Sequence, residues 1–140
     1  MNSNEYLYTE KGGINHGFST GEVSVGELYF TKKYIFLVPK KNAGMSGMVA
    51  HTTKFQNTDE FSSFLKENVG IMSLQEFEEG MLNFLGPKFY YSINELEKLS
   101  VQVGWWIFGG MRLKVKGGEL QVLNVQPKSV RAEVKKFYKL

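Results

Sequence analysis

The 140-residue sequence has no cysteine and only two histidines and three prolines. Without cysteine there is no disulfide scaffold, no thiolate zinc site and no thiol nucleophile. Without H-E-x-x-H, G-x-S-x-G or a glycine-rich phosphate loop ending in lysine, the common hydrolase and nucleotide-binding signatures are missing too. His16 ("GGINHG") and His51 ("HTTKF") lie in loop-like sequence and read as polar surface residues. Glu78 and Glu79 read as an exposed helix face, where carboxylates ordinarily sit. These absences point away from an enzyme, and no cofactor, metal or small-molecule substrate is implied.

Long hydrophobic runs are also lacking. The longest, "YIFLVP", has the length of a strand, far below the ~18 apolar residues a membrane helix needs. The polar start, "MNSNEYLYTEKGG", has no charged segment followed by an apolar one, so no secretory leader is read. The expected location is cytoplasmic, with peripheral membrane contact as the variant. At this length the expectation is one domain spanning residues 1–140.

What is present is aromatic and unevenly charged. There are 11 Phe, 7 Tyr and 2 Trp, and the net charge is +3. Lys32, Lys33, Lys40, Lys41 and Lys54 fall in residues 28–54, which hold no acid. Eight acids crowd residues 55–100, and eight basic residues follow in 111–140. The plain expectation is that these segments pair across the fold.

Residues 22–39 read as a β-hairpin or a pair of meander strands. Leu28 and Phe30 alternate with Tyr29 and Thr31, and "YIFLV" suits a pleated surface. Pro39 should end the second strand because it cannot donate to a ladder. A strand near Glu5–Thr9 is expected before them, with "EKGGINHG" as a turn. Residues 40–57 read as a loop with a short strand near Met48–Lys54.

Two helices are then expected across Thr58–Leu85. The first is capped by Asn57 or Thr58, with Phe61, Phe64 and Leu65 on one apolar face. The second opens on Ser73 and Glu76, the spacing of a capping box. It carries Leu74, Phe77, Met81, Phe84 and Leu85 as a stripe. Strands return at 88–93 and through "NELEKLSVQV". "MRLKVK" puts Met111, Leu113 and Val115 on one face. Gly117-Gly118 marks a hairpin, and "ELQVLNV" returns with a bulge or two buried faces at Val122-Leu123. After Pro127 comes a helix with Val130, Val134, Phe137 and Tyr138 on one side. Arg131, Lys135, Lys136 and Lys139 occupy the other.

"GELYFTKKYIFLVPKK" resembles the opening of GRAM and related pleckstrin-homology-like (PH-like) domains. "FYYSINELEKLSV" and "GGMRLKVKGGELQVLNVQPKSVRAEVKKF" resemble their second half. The likeness covers residues 22–40 and 88–140; residues 41–87 stand outside it as a helical insertion. It implies an α+β, mostly β architecture, a curled antiparallel sheet or barrel closed by a C-terminal helix. It also implies a non-enzymatic binding or scaffolding module.

Two partner classes follow. A protein partner, or self-association, is favoured by the aromatic surplus. The alternative is an anionic membrane. Lys32, Lys33, Lys40 and Lys41 would form its basic loop, and Trp105 and Trp106 its anchor beside Arg112 and Lys114. Adjacent tryptophans face opposite ways on a strand, so one belongs to the core and the insertion stands ready to cover the other. Arg112, Lys114 and Lys116, ~6–7 Å apart along a strand, match the spacing of phosphates. The acidic middle segment nevertheless argues against nucleic acid.

Overall fold

A computed structural model describes residues 1–16, 22–43, 58–105 and 108–140; the side chains of 41–43 and 108 fall outside that description. Seven strands are formed: β1 (Leu7–Asn15), β2 (Val23–Phe30), β3 (Tyr34–Ala43), β4 (Tyr90–Ser92), β5 (Leu96–Trp105), β6 (Phe108–Val115) and β7 (Leu120–Gln126). Three α-helices accompany them: α1 (Thr58–Asn68), α2 (Leu74–Phe84) and α3 (Lys128–Phe137). The strands make one sheet in the order β4-β3-β2-β1-β7-β6-β5. Every pairing is antiparallel. The sheet curls into a half-barrel that α3 closes. The chain is therefore α+β and mostly β, compatible with a PH-like fold.

The alternation of β2 and β3 has a double use. Leu28, Phe30, Ile35 and Leu37 are fully buried, and so are Tyr29, Phe36 and Val38 between them. A strand pair is buried on both faces only when something covers each. The outer cover is α1 and α2. Phe77 of α2 sits 5.3 Å from the Tyr29 ring, 6.0 Å from Phe36 and 6.4 Å from Tyr6, centroid to centroid. The inner cover includes α3, whose Tyr138 meets Phe30 edge-on and donates to the Thr31 carbonyl at 2.7 Å. The insertion is thus an integral layer of the core.

Several local expectations need correction. "EKGGINHG" is no turn: β1 runs on to Asn15, with a register shift between Thr9 and Gly12. Gly12 permits this, since a Cβ there would come within 2.3 Å of Leu28. Pro39 does not end β3, which continues to Ala43. It lies opposite Gly26, beside a shift between Val25 and Gly26, where a missing donor is tolerated. Residues 88–93 form only the three-residue β4, flanked by 3₁₀ turns at Pro87–Phe89 and Ile93–Glu95. The register from Met111↔Leu123 to Lys114↔Leu120 is unbroken, so no bulge occurs at Val122-Leu123. Leu123 is buried, and Val122 simply faces out. The strand near Met48–Lys54 and the Asn57 cap lie outside the described residues.

The helices also depart from simple periodicity. Ser73 caps α2 as expected, accepting from the Glu76 amide at 3.1 Å. Glu78, however, is buried and accepts from Thr31 Oγ1 at 2.7 Å. On α1 the inward stripe is Thr58, Ser62 and Leu65. Ser62 points in because its hydroxyl donates to the buried Glu27 carboxylate, 2.8 and 2.9 Å from its two oxygens. That rotation leaves Phe64 half-exposed, contrary to its expected place beside Leu65.

Arg131 is the largest correction. It was expected on the solvated side of α3 and is fully buried. Its Nε donates to the Val103 carbonyl at 2.7 Å and its Nη1 to the Val125 carbonyl at 3.0 Å. Gly109 makes the room, since a Cβ there would meet Arg131 Nε at 2.5 Å.

Candidate functional site

Of the eight basic and tryptophan positions expected to bind, six have described side chains, and three of these, Lys32, Lys40 and Lys114, are engaged within the fold. Lys32, at the β2–β3 turn, donates through Nζ to the Phe137 carbonyl and lies 3.7 Å above the Phe137 ring centroid. It serves the C-terminal end of α3, where a cation is favoured by the helix dipole. Lys40 pairs with Glu27 at 3.0 Å, and Lys66 of α1 joins the same carboxylate at 3.1 Å. Burial pushes the Glu27 pKa up, but hydrogen bonds from Ser62, Lys40 and Lys66 outweigh it and hold it below its usual range. Lys114 pairs with Glu97 at 3.2 Å on the surface.

Lys33 and Arg112 are exposed. Lys33 borders a hollow of about 580 Å³ that also presents Glu78 and Glu79, a poor setting for an anionic headgroup. The side chain of Lys41, and Trp106 and His51 altogether, lie outside the described residues. Among the described side chains, Lys32, Lys33 and Lys40 are not gathered into one open basic loop.

What it does leave open is the outer face of β5–β6–β7. Met111, Leu113, Leu123, Val125 and Val101 turn inward and are buried. The alternate residues turn out. The register stacks them in rows: Ser100 beside Arg112 beside Val122, and Lys98 beside Lys114 beside Leu120. Val122 and Leu120 are exposed, and Trp105 at the far end of β5 is 69% exposed. Helices α1 and α2 cover the other half of the sheet. Between these groups Gly109 and Gly110 leave a trough of about 320 Å³, bordered by Gln102, Arg112 and Val122. The face thus combines an aromatic edge, an apolar strip, central cations and a hollow of side-chain size.

A second concavity, of about 470 Å³, lies at the seam where β4 approaches β7 without pairing to it. Tyr91 reaches across to donate to Gln121 Oε1, and burial raises its pKa. Lys88 meets Glu22 at 2.6 Å nearby. His16 also lines this seam and is buried, correcting its reading as a surface residue. Its Nε2 lies 2.9 Å from Ser24 Oγ, and its ring packs edge-on against Phe89. Ser24 is fully buried. Among the described residues no cluster of three or more His, Cys, Asp or Glu is placed to hold a metal ion. Nor is any helix long and apolar enough to cross a membrane.

No protein-family model matches the chain, and no curated protein matches it.

Sequence reasoning missed the trough and the seam for different reasons. Gly109-Gly110 was visible as a pair, but the trough depends on what stands across the register, Gln102 on β5 and Val122 on β7. The seam draws His16, Lys88 and Gln121 from three distant segments, and no spacing rule joins them.

Proposed function

We propose that the chain is a non-enzymatic, PH/GRAM-like binding or scaffolding module that docks a protein on the outer face of β5–β6–β7. The supporting observation is the asymmetry of the sheet. One half has its outer face sealed by α1 and α2, while the other presents Trp105, Leu120 and Val122 among Arg112, Lys98 and Lys114. Exposed aromatic and aliphatic side chains around an arginine are the composition of a protein interface. The cations select a partner surface carrying carboxylates.

Anionic-membrane binding is the less supported reading. Lys32 and Lys40, half of its basic loop, are engaged by Phe137 and Glu27.

Two titrations of isotope-labelled protein, followed by amide shifts, test this. One adds a synthetic peptide of alternating glutamate and phenylalanine; the other adds phosphatidylcholine vesicles containing phosphatidylserine. Saturable shifts on β5–β7 with the peptide, and none with vesicles, are expected. Vesicle binding without peptide binding would transfer the function to the membrane.

A further inference from the structure

We infer that the surface received on the β5–β7 face is α1 of a second copy of this chain, so that copies associate head to tail. The inference rests on the docking face proposed above and names its occupant.

One molecule carries a complementary pair of surfaces. Because Ser62 turns inward to Glu27, α1 presents Phe64 to solvent at 50% exposure. Glu60 and Glu67 are exposed on the same stripe, four residues before and three after it. Those spacings place one carboxylate about a helical turn to either side of the ring. Ile71, 83% exposed, continues the stripe beyond the helix. Among the described residues nothing in the same chain covers this ridge.

The opposite surface has the inverse relief and the inverse charge. The Gly109-Gly110 trough, about 320 Å³, admits a phenyl ring, with Val122 and Gln102 as its walls. Arg112 stands at its edge, next to the row that holds Lys98 and Lys114. A ring with a carboxylate on either side therefore meets a hollow with Arg112 at one edge and, one row further on, Lys98 and Lys114, the latter paired with Glu97. The two surfaces are different patches of one molecule, so the contact is heterologous. Each copy keeps one ridge and one trough to offer, and association continues as a chain or closes as a ring.

The test uses the full chain and sedimentation velocity over a concentration series at low and physiological salt. Wild type should gain mass with concentration, less so at the higher salt. Arg112→Glu and Glu67→Lys, each at an exposed position, should each weaken association by about tenfold or more. Mixing the two variants in equal amounts should restore association, because each variant's ridge then meets a trough of opposite charge on the other. The double variant should regain open-ended association. Phe64→Ala, which removes the knob without altering charge, should match the single variants. A wild type that stays monomeric to its solubility limit overturns the inference. So does association that the single variants leave intact, or a mixture that stays monomeric. If the chain is monomeric yet the glutamate–phenylalanine peptide still shifts β5–β7, only the identity of the occupant fails. If the peptide does not bind, the docking face itself is in error.

Discussion

Arg131 of α3 donates through Nε to the Val103 carbonyl of β5 at 2.7 Å, inside the half-barrel. Val103 lies in the interval between Gln102 and Trp105 where the β5–β6 register shifts, so its carbonyl is offered to a side chain. The same guanidinium holds the Val125 carbonyl of β7. One planar group thus fixes the closing helix to both ends of the β5–β7 meander.

Replacing Arg131 should be costly in a graded way. Arg131→Ala loses the packing of a fully buried side chain and strands two carbonyls, and should destabilise by about 3–5 kcal/mol. Arg131→Lys should recover only part of this, because an ammonium cannot span the two acceptors with a rigid fork. Urea midpoints for the two variants provide the check; equal midpoints for Lys and Arg would contradict the clamp.

Phe77 tests whether the insertion belongs to the core. It is fully buried between Tyr29, Phe36 and Tyr6. Phe77→Ala should cost about 3–5 kcal/mol. Amides of β2 and β3, far away in sequence, should lose hydrogen-exchange protection along with α2. Loosening confined to α2 would mean that the insertion is a separate layer.

Glu27 should leave a signature in the pH dependence of stability. Its folded pKa is lowered, because hydrogen bonds from Ser62, Lys40 and Lys66 overcome the effect of burial. A depressed carboxyl pKa stabilises the fold above the unfolded value, near 4.5, and that contribution fades as pH falls through the folded value. Glu27→Gln should therefore cost about 1–2 kcal/mol at neutral pH, given that both lysines are partly solvated. The gap from wild type should narrow in acid. Denaturation midpoints from neutral pH downward measure it, and a gap independent of pH would remove Glu27 as the source.

The lysines once grouped as a single basic loop should separate on reversal. Lys33→Glu should change stability by less than about 0.5 kcal/mol, as expected for an exposed position. Lys40→Glu sets a second carboxylate against the buried Glu27 and should be clearly destabilising. Thermal melts of the pair decide it; identical losses would undo the distinction.

Much of the scaffold was legible from residue type alone. Alternation located β2, the aromatic and β-branched run "YIFLV" located β3, Gly117-Gly118 located the last hairpin, and Ser73 located the start of α2. Side chains that answer to distant partners were not. Arg131 follows its helix period to the polar side only if nothing within the barrel requires a cation. Two β-strand carbonyls require one, and Gly109 leaves the space. Glu78 and Ser62 are drawn inward by Thr31 and Glu27 on β2 and its turn, a pull that helix periodicity does not contain. The same pull exposes Phe64, so the candidate ridge on α1 is a by-product of satisfying a buried carboxylate.

The strand order has a consequence for how the molecule divides. A cut between Ile93 and Glu95 would separate β4-β3-β2-β1 from β7-β6-β5, and each fragment would keep its own ladders whole. The backbone pairing lost would be the single β1–β7 ladder, from Lys11↔Gln126 to Asn15↔Val122. The half-barrel is in that sense two meanders zipped along one seam. Each half carries the edge that the other half fits.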